Sequence, residues 1–400
     1  MSVEELKAKV EQRLDEIMPE LVELSDDIFA HPELRFEEHH AKKVITELLE
    51  KHGMDVDHDV ANLPTAFAAQ VPGHTSKPRV GILSEYDALP EIGHACGHNL
   101  IGTSGVGTFL VLASIADELN GSVALYGTPG EEGGGGKITM LEADTFDTLD
   151  TVIMTHPIHT ESMVDTPFLA STGLTLKFHG KPSHAAAAPE HGINAVDALV
   201  NTYVAVNGMR QRMPSDVNIC GIIRSGGSAA NVIPDYAELF YIVRADNWHK
   251  AKDAVDTVIQ IAEGSAAAIG ASVESEMMKN QHAEFQFYTE DRQNEALKGV
   301  FRQNLTSIGV EVKPWTKEMG IGSTDFANVS FEIPGMHLML KLDGTDRPPH
   351  TTEFAEAAGS EHGRKWLREA ILTMAFSTID ILNADGALGR VKSDYAEAAD

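Results

Sequence analysis

Apolar residues recur at helical spacing from the first residues of the chain. Val3, Leu6, Val10, Ile17, Leu21 and Leu24 fall on one face of a long amphipathic helix. Ser2-Val3-Glu4-Glu5 supplies a capping box at its start. A second helix is predicted from Lys42 to His52, stopped by Gly53. Continuous apolar runs follow, and each ends in a polar motif. Val80-Gly81-Ile82-Leu83 leads into Ser84-Glu85-Tyr86-Asp87, Val123-Ala124-Leu125-Tyr126 into Thr128-Pro129-Gly130-Glu131-Glu132, and Val152-Ile153-Met154 into His156. An apolar helix is expected from about Gly102 to Asp117. Buried strands alternating with helices predict an α/β domain with a mainly parallel central sheet, whose chemistry collects at the carboxyl ends of the strands.

The rhythm then changes. Strands are predicted at Leu174–His179, Val217–Arg224, Tyr236–Arg244 and Ser272–Met278, and helices at Gly192–Arg212 and Trp248–Ile269. The order βαββαβ is that of a ferredoxin-like unit. The expected organisation is a catalytic domain in two parts, 1–170 and 286–400, with a lid or dimerisation domain inserted at 171–285. The small, acidic end from Ala384 to Asp400 is expected to fray.

Composition narrows the class. Hydrophobic residues make up 42% and charged residues 23% of the 400, as in an ordinary globular protein. No run approaches the ~20 apolar residues of a membrane helix. Sixty acids against 31 bases give a net charge of -29, which argues against nucleic-acid and anionic-membrane partners. Two cysteines form no disulfide framework, and Met1-Ser2-Val3-Glu4-Glu5 lacks the features of a secretory signal. A cytoplasmic setting is therefore expected.

Candidate chemistry gathers at the polar motifs. Gly93-His94-Ala95-Cys96-Gly97-His98-Asn99 presents a thiol and an imidazole two residues apart. Glu131 and Glu132 sit together in a turn, His156 closes an apolar run, and Pro348-Pro349-His350-Thr351 stands far downstream. Cys96, His98, Glu132, His156 and His350 are the donor types of a borderline divalent ion. Five ligands exceed one tetrahedral ion and suit two ions sharing a bridging ligand. Glu131 is left as a general base, and Asp87 as a carboxylate supporting the ligands from behind. The glycines that follow Glu132 imply either close backbone approach or mobility. His184, in Gly180-Lys181-Pro182-Ser183-His184-Ala185, is a candidate oxyanion donor. Asn231 and Arg244 suit a substrate carbonyl and carboxylate, whereas Glu85 and the acidic surface favour a cationic group instead. Gly322-Ser323-Thr324-Asp325 reads as a helix cap or as pocket wall. His31 and His94 read as structural or as supporting the ligands from behind, and Cys220 as strand core.

Taken in order, Glu85 to Pro90, Gly93 to Asn99, Pro129 to Gly133, His156-Pro157, Gly180 to Ala185, Asn231 to Pro234, Gly322 to Asp325 and His350 resemble the motifs of a dinuclear zinc metallopeptidase family. That family includes aminoacylase, hippurate hydrolase, indole-acetyl-amino-acid hydrolase and aminobenzoyl-glutamate hydrolase. The nearest resemblance is to the aminobenzoyl-glutamate hydrolase and dipeptidase-like branch. It covers nearly the whole chain and implies two metal ions per chain, zinc or manganese, with cobalt or nickel possible. It also implies His184 and Asn231 reaching substrate across a homodimer formed by the inserted domain. The expected reaction is hydrolysis of an amide in an N-acyl amino acid, an aminobenzoyl-glutamate-like compound or a dipeptide, by water activated by Glu131. Two other readings stay open at this point: hydrolysis of a different carbon–nitrogen bond, as in aromatic deamination, and a catalytically silent binding protein. The presence of Glu131 beside a full ligand set argues against the silent binder.

Overall fold

The computed structural model describes residues 1–278, 282 and 287–398. The chain divides into two compact units, Met1–Pro167 with Asp291–Asp400, and Phe168–Glu290. In chain order the elements of the first unit are α1 (Val3–Ala30), α2 (His39–Lys51), β1 (Asp55–His58), β2 (Phe67–Gln70), β3 (Arg79–Ser84), α3 (His98–Ala113), β4 (Ser122–Gly127), α4 (Gly136–Glu142) and β5 (Thr151–Ile158). The second unit supplies β6 (Ala170–His179), α5 (Ala195–Arg210), β7 (Asn218–Ser225), β8 (Tyr236–Ala245), α6 (Trp248–Ala268) and β9 (Ser272–Met277). The chain then returns with α7 (Glu295–Ser307), α8 (Phe326–Glu332), β10 (Gly335–Lys341), α9 (Thr352–Ala358), α10 (Glu361–Asn383) and α11 (Ala387–Glu397).

The capping box on α1 forms in both directions: Ser2 Oγ accepts from the Glu5 N–H, and the Ser2 N–H donates to Glu5 Oε2. Helix α2 begins at His39, ahead of the apolar pattern that starts at Lys42. The Glu33 carboxylate, reaching back from the preceding corner, accepts the N–H groups of His40 and Ala41. That satisfies first-turn donors which no neighbouring side chain caps.

The first unit is built on a six-stranded sheet in the order β1-β2-β4-β3-β5-β10. Strands β4, β3, β5 and β10 run parallel, and β1 and β2 add an antiparallel edge. Helix α3 is buried along its length from His98 to Leu112, apolar on all sides as a central helix must be, and packs against α1, α10 and β3. It starts at His98 rather than Gly102, because Gly97 adopts φ 78° and turns the chain directly into the first helical residue.

The acidic end does not fray over its described length. Residues 387–397 form α11, Val391 is fully buried, the Asn294 side-chain amide donates to the Val391 carbonyl, and Tyr395 Oη donates to the Phe331 carbonyl. One apolar anchor and these bonds outweigh the acidic composition. Ala399 and Asp400 lie outside the described residues.

In the second unit the sheet order is β7-β8-β6-β9, all antiparallel, with α5 and α6 packed on one face. This is the ferredoxin-like arrangement. Strand β8 alternates strictly between buried and half-buried residues, as a one-sided sheet requires. Ser171 and Tyr288 exchange two backbone hydrogen bonds of 2.9 Å, so the chain enters and leaves this unit through a paired stem. The sequence boundary expected near 285 falls outside the described residues. Cys220 is exposed on the edge strand β7, not in its core: Ile219 takes the inward position, and a strand's period of two turns its neighbour outward. Among the described residues no single helix is long and apolar enough to cross a membrane.

Candidate metal centre

The carboxyl ends of the parallel strands deliver the site. Glu85 and Asp87 follow β3, Glu131 and Glu132 follow β4, His156 lies near the end of β5, His350 follows β10, and His98 opens α3. Gly97 makes the approach possible, because a Cβ there would stand 2.5 Å from the Pro157 ring. The glycines after Glu132 serve the same purpose: a Cβ on Gly136 would lie 1.8 Å from the Pro129 carbonyl oxygen. Of the two meanings the glycine run offered, close approach is the one the structure displays.

Side chains far apart in sequence converge here. Cys96, His98 and His156 each offer a donor atom within 4.8 Å of the others, and so do Cys96, Glu132 and His350, and Glu85, His98 and Glu131. Cys96 Sγ lies 3.4 Å from His156 Nε2, and His350 Nε2 lies 3.1 Å from Glu132 Oε1. Each buried imidazole is fixed from behind. His98 Nδ1 donates to Asp87 Oδ1 at 3.1 Å, and His156 Nδ1 donates to the Pro157 carbonyl at 2.7 Å. Both rings therefore turn Nε2 inward. The other oxygen of Asp87 accepts the Glu132 N–H at 2.8 Å, so one carboxylate orients two neighbours. His350 is held at φ 70°, with its N–H on the Ala95 carbonyl. An imidazole residue in the left-handed region marks a position fixed by its surroundings.

The electrostatics of the cluster call for added positive charge. Burial pushes Glu131 well above the usual carboxylate range, and Glu85, Glu132 and Asp325 push it further. Burial, with Glu132 beside it, drives the Cys96 thiol up as well. Burial lowers His156 to about 4. For His98 burial is outweighed by Glu85 and Asp87, which raise it well above an ordinary imidazole. Glu132 is held low against burial by His350 and His98. The buried Nε2 of His98 makes no hydrogen bond. A thiol, three imidazoles and a carboxylate, with the His98 Nε2 among them making no hydrogen bond, fit a borderline divalent ion, which would favour the thiolate and the carboxylates.

Several contributors were absent from the sequence reading. Lys137 is fully buried between Glu85 Oε2 at 2.5 Å and Asp325 Oδ1 at 2.8 Å, and these partners outweigh burial to raise its pKa. Glu85 is thus buried and paired with Lys137, not a charge on the surface. Asp325 precedes α8 but caps nothing with its side chain, which is engaged by Lys137. A lone lysine inside the apolar α4 was the available signal. Glu38, also buried, accepts the Gly130 N–H, and Arg35 donates to the Glu132 carbonyl at 2.8 Å. His94 is structural, its Nε2 on the Ile28 carbonyl at 3.0 Å.

In the inserted unit, His184 and Asn231 are neighbours on loops zipped by the His184–Val232 bridge and by the Ala185 N–H on the Asn231 carbonyl. His184 Nδ1 accepts from the N–H groups of Ala186 and Ala187. That places the ring proton on the exposed Nε2, a ready donor. Arg244 is not brought to them. It pairs with Ser171 at the other end of β8, eight residues beyond Tyr236, or roughly 26 Å along the strand.

Comparison with known proteins places this architecture. Residues 170–268 match the peptidase dimerisation domain family. The Xaa-Arg dipeptidase of Mus musculus is 36% identical over 98% of this chain and 93% of its own. The chain belongs to the M20 peptidase family. It is a metal-dependent amidohydrolase, in the family that the motifs resembled. Among other M20 relatives, a component of the p-aminobenzoyl-glutamate hydrolase of Escherichia coli (strain K12) is 28% identical over 94% of this chain and 92% of its own. The fold recurs in a dinuclear metal-binding M20 peptidase of Bacillus subtilis, with TM-score 0.69 and 23% identity over 92% of this chain and 99% of that one. It recurs also in an aminobenzoyl-glutamate utilization protein of Klebsiella pneumoniae, with TM-score 0.72 and 19% identity over 94% and 99%.

Proposed function

We propose that this M20 enzyme hydrolyses the amide of dipeptides or N-acyl amino acids at the Cys96–His98–Glu132–His156–His350 cluster, with Glu131 as the general base. The convergence of those five donors around a buried, proton-seeking Glu131 carries the reading. Dipeptides come first, because the Xaa-Arg dipeptidase relative covers nearly the whole chain. The five donors would hold two divalent ions, which supply Lewis acidity for the scissile carbonyl and for water. A thiolate among imidazoles favours zinc over manganese.

The chain's own groups do the rest. Asp87 keeps the His98 tautomer and the Glu132 backbone in place. Glu131 takes a proton from the attacking water and delivers it to the leaving nitrogen. His184, with its proton on Nε2, donates to the developing oxyanion, and Asn231 beside it holds the substrate carbonyl. The inserted unit forms the homodimer. Val200, Tyr203 and Val204 on α5, and Ile222 and Ile223 on the edge strand β7, expose an apolar surface on the unit that matches a dimerisation domain.

Glu131→Gln keeps the shape and removes the proton acceptor. Turnover of a dipeptide panel should fall by ~10²-fold or more, with the metal content measured by elemental analysis unchanged. A metal-loaded variant with near-normal turnover would remove Glu131 from the role.

A further inference from the structure

A second group of metal-type donors lies at the corner between α1 and α2. Asp27 and His31 stand four residues apart at the end of α1, and His40 in the first turn of α2 meets them. His31 Nδ1 is 3.0 Å from Asp27 Oδ1, and His40 Nε2 is 3.1 Å from Asp27 Oδ2. The two imidazole centroids are 4.3 Å apart, and one donor atom from each of the three residues lies within 4.8 Å of the others. Ligands of a tetrahedral ion at ~2.0–2.1 Å stand roughly 3.3 Å from one another. Bringing the three donors together, with the 2.9 Å contact of His31 Nδ1 to the Asp27 carbonyl given up, would convert the cluster into a coordination shell. The side chains are between 33% and 56% exposed, so an ion reaches them from solvent and keeps a position for water. Two imidazoles and one carboxylate select a borderline ion over calcium or magnesium.

We propose that Asp27, His31 and His40 bind an additional zinc ion that clamps α1 to α2 behind the loops that follow β3 and β4. The segment between His31 and His40 seats both loops. The Glu33 carbonyl accepts from the Ala88 N–H at 2.7 Å, Arg35 holds the Glu132 carbonyl, and Glu38 holds the Gly130 N–H. The Phe36 ring fills the space that a side chain at Gly130 or Gly134 would need. An ion at the corner ties both ends of this segment and stabilises the folded corner by mass action. The existence of the site is independent of the roles assigned to the active-centre ligands. Only its consequence for catalysis rests on them.

The test is zinc stoichiometry on the full-length chain, stripped and then titrated with zinc alone in equilibrium dialysis. Wild type should bind about one equivalent more per chain than His40→Ala or His31→Ala. Both variants should match the wild-type circular dichroism and melting point without zinc. A parallel pair carries Cys96→Ser and His98→Ala, with and without His40→Ala, and the one-equivalent difference should persist there. If the active-centre reading failed, total binding would be low in every protein while that difference remained. Equal zinc binding by wild type, His40→Ala and His31→Ala would overturn the proposal. Should His40→Ala misfold, the more exposed His31→Ala decides alone.

Discussion

At the scale of single residues, Glu38 exposes a tension in the design. Burial, reinforced by the nearby Asp87, raises its carboxyl from 4.5 to about 8. In the folded chain it keeps its proton up to about that pH, whereas in the unfolded chain it ionises from about 4.5 upward. Across that window the unfolded chain binds fewer protons, so stability falls as pH rises. In metal-stripped protein the Glu38 contribution should decline by a few kcal/mol between roughly pH 5 and 8. Glu38→Gln keeps an acceptor for the Gly130 N–H and should flatten that slope. Urea denaturation of both proteins at three pH values measures it. An identical slope in the two would show that Glu38 is ionised in the fold. None of this was legible beforehand. Glu38 meets Gly130 across ninety-two positions and Lys137 meets Asp325 across 188, and periodicity reports no pairing at such separations. The donor types at Cys96, His98, Glu132, His156 and His350 were legible, because unusual chemistry in small-residue turns is a local signal.

At the scale of elements, the sequence conveyed helices and strands wherever burial is one-sided. The capping box of α1 and the alternation of β8 are both explicit in composition and spacing. It misplaced boundaries set from a distance. Glu33 extends α2 backward, and Gly97 starts α3 at His98. The antiparallel edge β1-β2 is short and mostly polar at β1, so no apolar run announced it. The α3 boundary carries a prediction. Gly97→Ala puts a Cβ against Pro157 at an already left-handed residue. The folded state should lose about 1–3 kcal/mol. Cys96 and His98 flank the strained residue, so metal retention should weaken with stability. Thermal unfolding with and without zinc tests both effects. An unchanged melting point would mean that the Pro157 contact relaxes freely.

At the scale of the whole molecule, the question is which active centre His184 serves. We propose that, in a homodimer made through the inserted units, His184 acts on the partner's centre. Mixing His184→Ala with Glu131→Gln under conditions that let protomers exchange should then restore activity, since one of the two centres in each mixed dimer holds both groups. Random pairing at equal amounts gives about a quarter of wild-type activity. Activity that stays at background after proven exchange would place His184 in the same chain as the centre it serves.

The paired stem of Ser171 and Tyr288 makes the inserted unit a cartridge. Hydrogen-bonded partners in an antiparallel pair stand ~5.5 Å apart, a gap that two or three residues bridge. A short linker in place of residues 172–287 could therefore join Ser171 to Tyr288 and keep β5 and β10, which pair directly in the sheet, in one chain. Such a shortened chain should fold, stay monomeric and take up metal at the active centre. Its turnover should fall to the level of His184→Ala, separating capture of the ions from use of the substrate within one gene edit. Loss of metal uptake in a folded, shortened chain would show that the cartridge shapes the metal centre as well.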